Sequence, residues 1–205
     1  MVATWGRLGA LYKAPEGYEQ RMKIICAMAE LFDCETVESL SVSAICEKAG
    51  ISRPTFYHYF ADKYDAINWY HLVYAKRVLY QVGRTLTWHE ASLDMFERVY
   101  EERQFFERAF SQKDSHESLQ RFGEHINIKE QLKIIEENGI PLTDELEYQV
   151  RFWARSVMIA ITAWVCEGFI WTPEEFAHYL DYCRPAELQR VMDEPVLARR
   201  NGASR

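Results

Sequence analysis

The chain has 205 residues, 48% of them hydrophobic and 27% charged, with a formal net charge of −7. Such a balance belongs to a globular protein with a substantial core, and it excludes a disordered or fibrous chain. The acidic excess also excludes a protein that coats nucleic acid by bulk charge. No apolar run reaches the roughly 18 residues of a membrane span, and the longest, Val157 to Val165, is interrupted by Thr162. The five cysteines (Cys26, Cys34, Cys46, Cys166, Cys183) form no CxxC pair. With no apolar leader at the N-terminus, they read as reduced thiols of a cytoplasmic protein.

Glycine and proline are sparse and period-two alternation is nearly absent, so helices dominate and the expected fold class is all-α. Residues 1–17 read as a flexible arm, broken by Gly6, Gly9, Pro15 and Gly17; its Arg7 and Lys13 could reach a minor groove. A first helix is expected from Tyr18 to about Cys34, with Ile24, Ile25, Met28, Leu31 and Phe32 on one stripe. Ser41 caps a short helix from Val42 to Lys48, Ala49-Gly50-Ile51 makes a tight turn, and Ser52 caps a third helix that tolerates Pro54 in its first turn. Asp62 with Asp65 starts a fourth helix reaching about Gly83. One helical segment is expected from Glu90 to about Gln112 and another from Ser115 to Asn138, ended by Gly139 and Pro141. Thr143 opens a long helix to Gly168, Thr172-Pro173-Glu174-Glu175 starts a further one, and 194–205 reads as a frayed, disordered tail. The expected domains are therefore 18–65, a helix-turn-helix unit, and 66–193, a larger helical unit.

Two short helices joined by a glycine turn and followed by an exit helix form a DNA-reading arrangement. Arg53 has the fork for a guanine, Thr55 can touch a base edge, and Tyr57, Tyr59 and Lys63 stand where donors meet phosphates. Ser41 and Ser43, at the start of the second helix, offer another phosphate site. Phe56 and Phe60 should point inward. Yet the first 65 residues carry seven Lys/Arg against nine Asp/Glu, so the case for DNA rests on placement and not on charge.

The run from Ser41 to Lys63, with its Gly50-Ile51-Ser52 turn, Thr55-Phe56-Tyr57 core, Phe60 and Asp62-Lys63, resembles the TetR family of transcription regulators. The resemblance is firm over about residues 18–70. It implies DNA contacts from Ser41, Ser43, Ser52, Arg53, Pro54, Thr55, Tyr57, His58, Tyr59 and Lys63. It further implies a C-terminal domain that dimerises through its closing helices and binds a small inducer. On the long helix, Val150, Trp153, Val157, Ile161 and Trp164 form one stripe. An interface from Val150, Val157, Ile161 and Trp164 with Phe176 and Leu180 is the expectation. Pocket lining is expected from among Trp69, Tyr70, Tyr74, Phe96, Tyr100, Phe106, Phe110, Phe122, Phe152 and Trp153, although core packing is the stronger reading for each ring taken singly. An aromatic supply of 6 Trp, 12 Tyr and 11 Phe suits an apolar or aromatic inducer.

Nothing points to catalysis, a cofactor or a metal: the six histidines are scattered, and no GxSxG, P-loop or GxGxxG occurs. The reading is a homodimeric, double-stranded-DNA-binding regulator, a repressor released from a palindromic operator by an inducer. The alternative is a co-regulator of the same fold that signals through a protein partner.

Overall fold

The computed structural model describes residues 16–110 and 113–202. Among them run ten helices: α1 Tyr18–Leu31, α2 Val42–Ala49, α3 Arg53–Tyr59, α4 Lys63–Leu79, α5 Trp88–Glu101, α6 Arg103–Phe110, α7 Lys113–Glu137, α8 Asp144–Cys166, α9 Pro173–Cys183 and α10 Ala186–Gly202. The described residues contain no strand, only an isolated bridge between Val82 and Leu86. The fold is all-α. Residues 1–15, with the arm's Arg7 and Lys13, lie outside the described residues, as does the side chain of Tyr74.

Two compact units divide the chain. One takes in residues up to Val73 together with Glu102–Leu119; the other takes in Tyr74–Glu101 and everything from Gln120 on. In the first, α1 buries Ile24, Ile25, Ala27 and Met28, and Phe32 just beyond it packs on Phe105 at 5.4 Å. The helix stops at Leu31, one turn short of the expected Cys34. Its start needs a glycine: Gly17 has φ 72°, and a Cβ there would meet the Tyr59 ring at 2.7 Å. The buried Tyr70 donates a hydrogen bond from its hydroxyl to the Glu102 carboxylate and sits 5.0 Å from the Phe105 ring.

The segment expected as one helix from Glu90 to Gln112 is two, α5 and α6, broken at Glu102. Glu102 is buried. Its carbonyl accepts from the Phe105 and Phe106 amides, so the chain turns to bring this carboxylate to Tyr70. No glycine or proline announces the break.

In the second unit α5 lies against α9, and α10 against α8 and α5. Phe96, Trp164 and Phe176 form a ring cluster with centroids 5.7, 4.8 and 4.5 Å apart. The starts of α8 and α9 follow from their caps. Thr143 Oγ1 accepts from Leu146 N at 3.2 Å. Thr172 and Glu175 form a full capping box, which satisfies two orphan amides reciprocally.

Helix α10 differs from the sequence expectation: the segment from Glu194, read as a frayed tail, continues the helix to Gly202. Leu188, Val191, Met192 and Val196 are buried, a spacing of three and four that holds one face to the core. Pro195 lies inside this helix, and its missing amide proton made the segment read as an end. A buried cation anchors the near end of α10. Arg184 pairs with Asp193 and, at 2.9 Å, with Asp181, while its guanidinium lies 5.2 Å over the Trp88 ring.

Candidate nucleic-acid interface

The reading head is built by three caps. Ser41 Oγ accepts from Ala44 N at 3.1 Å and starts α2. Gly50 ends that helix at φ 65°, in the left-handed region that costs other residues 1 kcal/mol or more by rough measure. Ser52 Oγ accepts from Thr55 N at 3.2 Å and starts α3. The exit helix α4 begins with a reciprocal cap, Asp62 accepting from Asp65 N at 2.8 Å and Asp65 accepting from Ala61 N at 2.9 Å.

Helix α3 is two-faced. Phe56 and Phe60 are buried, 6.0 Å apart between centroids. Ser52, Arg53, Pro54, Tyr57 and His58 are exposed, and Thr55 is half-buried with its hydroxyl 2.8 Å from Ser52 Oγ. Tyr57 keeps 49% of its surface exposed. Ser41 and Ser43 are exposed at the start of α2. Arg53 Nη1 donates to Ser43 Oγ at 3.0 Å, joining α3 to α2.

Two residues assigned to phosphate contact have work inside the fold. Lys63 Nζ donates to the carbonyls of Glu38, at 2.7 Å, and Leu40, at 3.0 Å. It ties the start of α4 to the turn that feeds α2. Tyr59 is half-buried; its ring sits against Gly17 and its carbonyl accepts from Arg21 Nη1 at 2.8 Å. Arg21 went unnoticed in the sequence. Its guanidinium lies 5.4, 5.0 and 5.5 Å from the rings of Tyr59, Phe60 and Trp69, so it clamps α1 to the end of α3 and to α4. Lys48 pairs with Glu30 at 2.6 Å, which holds its ammonium charged to higher pH than usual. Burial pushes the Cys46 thiol up, with the charge of Arg53 pulling the other way.

The expected dimer residues face inward in the single chain. Val150, Val157, Ile161, Trp164, Phe176 and Leu180 are all buried within their own chain, where they pack α8 and α9 into the core. The outward apolar positions are others: Tyr148, Phe152 and Ile159 on α8, and Tyr179 and Tyr182 on α9. Phe152, expected in a pocket, is 58% exposed, and Tyr182 is 84% exposed. Helix α8 is apolar on both faces, so two stripes compete in its sequence.

The remaining pocket candidates fall in separate units. Trp69, Tyr70, Phe106 and Phe110 belong to the first; Phe96, Tyr100, Phe122 and Trp153 belong to the second. Tyr70, Phe106, Phe110, Phe96 and Trp153 are buried, Trp69 and Phe122 are half-buried, and Tyr100 is exposed. Tyr100 packs edge-on to Phe169 at 5.6 Å, and Trp153 lies 5.5 Å from Trp88.

Residues 24–66 match the family model for bacterial regulatory proteins of the tetR family, and residues 86–183 match a model for a transcriptional regulator C-terminal region. The chain belongs to the TetR family of transcription regulators. No curated protein matches it in sequence. Among solved structures it is similar to the "Dihydroxyacetone kinase operon activator DhaS". The two are 18% identical with a TM-score of 0.59, and the match covers 84% of this chain and 98% of that one. At that identity the likeness concerns the fold.

The tetR match runs from within α1 to the start of α4, so it contains the whole reading head; the second runs from just before α5 to the end of α9. As a member of that family the chain is a transcription regulator and not an enzyme. Among the described residues no helix is long and apolar enough to cross a membrane.

Proposed function

We propose that this TetR-family regulator acts as a homodimer on a palindromic operator and represses until a small inducer releases it. The observation that carries the proposal is the division of α3: Phe56 and Phe60 buried beneath it, Arg53, Tyr57 and His58 exposed above it. A seven-residue helix so divided presents its N-terminal side chains to base edges while its aromatics anchor it. Dimerisation is supported by the exposed apolar side chains on α8 and α9. Large rings such as Tyr148, Phe152 and Tyr182 favour a partner surface over water. A two-fold dimer would set its heads about 34–36 Å apart on the two half-sites. The inducer, an apolar or aromatic molecule on this reading, acts by a coupling free energy between its site and the operator site. The similar solved structure is titled an activator, so the sign of regulation is part of what the experiment reads.

A second reading is favoured by a particular observation: Arg21, Lys48 and Lys63 are each committed to partners within the chain. A head with few cations to spare suits a co-regulator that reaches DNA through another protein. Selection of bound duplexes from a random pool, at two salt concentrations, tests both. The operator reading expects an enriched palindrome whose log affinity falls with log salt by about 0.9 per phosphate neutralised. A folded protein that enriches no sequence would move the assignment to the co-regulator.

A further inference from the structure

We propose that Ser43 is a positioning residue for Arg53, and that Ser43 and Tyr57 together present the Arg53 guanidinium to one guanine of the operator half-site. This rests on the operator-binding reading above. Arg53 stands at the first position of α3. Its Nη1 donates across the turn to Ser43 Oγ on α2 at 3.0 Å. Its Nη2 reaches the Tyr57 hydroxyl, one helical turn along α3, at 3.5 Å, and its guanidinium carbon lies 5.9 Å from that ring's centroid. All three side chains are exposed.

The chemistry of the two holders decides what the guanidinium can do. Each is a neutral hydroxyl accepting a hydrogen bond, so neither cancels the charge it holds. Among the described residues Arg53 has no carboxylate partner, whereas Lys48 has Glu30. Of the five N–H donors of a guanidinium, two are used and three remain for a ligand. A planar fork in a major groove matches the O6 and N7 acceptors of guanine. A free arginine on a surface loses up to about 2 kcal/mol of rotamer entropy when a ligand fixes it; holding it beforehand from two helices removes part of that cost. Arg21, another tethered arginine of this unit, is turned into a ring cluster. Ser43 also keeps its own hydroxyl proton, which could meet a phosphate. The two roles leave different signatures, because a phosphate contact is blind to sequence and a positioned fork is not.

The test uses the full chain and the duplex that it selects. Ser43→Ala, Ser43→Thr, Arg53→Ala and the double variant are titrated against that duplex and against versions with each guanine of the half-site replaced in turn. Ser43→Ala is expected to lose roughly tenfold in affinity for the selected duplex, within the discrimination a bidentate arginine provides. The loss should be confined to one guanine, the position at which Arg53→Ala no longer discriminates. Ser43→Thr should restore binding, and Ser43→Ala should cost nothing further once Arg53 is alanine. Equal losses on every duplex, or additive losses in the double variant, overturn the positioning role while leaving operator binding intact. A wild-type protein that selects no duplex overturns the operator reading, and this proposal with it.

Discussion

Phe152→Ser separates the outward face of α8 from its buried stripe. In the single chain Phe152 is 58% exposed. A Phe side chain has roughly 200 Å² to bury, so covering the exposed part removes about 120 Å² from water, worth about 3 kcal/mol at ~25 cal/mol/Å². Two-fold symmetry counts that change twice, giving an upper figure of about 6 kcal/mol. Incomplete cover and ordering costs reduce it to about 2–4 kcal/mol, a loss of roughly 30- to 1,000-fold in dimer association. Sedimentation equilibrium reads the association constant, and thermal unfolding checks that each chain keeps its fold. Val157→Ala is the contrast. Val157 is buried on the other side of α8, so its truncation should cost about 1–3 kcal/mol of chain stability and leave association of the folded protein unchanged. An unaltered association constant for Phe152→Ser, or a Val157→Ala protein that dissociates with undiminished stability, refutes this assignment of faces.

Lys63→Met removes two donors from the Glu38 and Leu40 carbonyls and should lower stability by about 1–3 kcal/mol in urea unfolding. A protein of unchanged stability that binds every duplex more weakly would return Lys63 to the phosphate contacts. Arg184→Ala leaves Asp193 of α10 without its cation, with only the Trp88 amide donating to it, and should cost about 3–5 kcal/mol by the same assay; a cost near zero would mean the pair is solvated. Burial pushes the His71 pKa down from 6.5 to about 4. Between those values the unfolded chain binds a proton that the folded chain does not. Stability therefore falls as pH drops through that window, by about 3 kcal/mol when complete. His71→Gln should remove that part of the slope when melting curves at pH 7.5, 6 and 4.5 are compared with wild type. Equal slopes in the two proteins would contradict the buried neutral imidazole.

The reading head was legible because its chemistry is local. Ser41, Gly50, Ser52 and the Asp62–Asp65 pair each cap or turn the backbone within four residues, so spacing alone announces them. What Lys63 does was not legible. Its partners lie 23 and 25 residues earlier in the chain, and a lysine beside a helix start looks the same whether it faces a phosphate or a carbonyl. Arg21 is hidden for the same reason, since its three rings come from α3, α4 and the turn between them. Helix α8 misled differently. Val150, Val157 and Ile161 bury inward while Tyr148, Phe152 and Ile159 face out, and two apolar stripes on one helix give no sign of which meets the core. Helix α10 was masked by Pro195, although Leu188, Val191, Met192 and Val196 carry a helical period across it.

The central claim is that two copies of the α3 face read one palindrome. Its most direct test is the stoichiometry of binding to the selected duplex and to its isolated half-site, followed by fluorescence anisotropy at protein concentrations far above the dissociation constant. The account predicts saturation at two chains per palindrome, with the half-site bound much more weakly. Saturation at one chain, or equal affinity for the palindrome and an unrelated duplex, would contradict it.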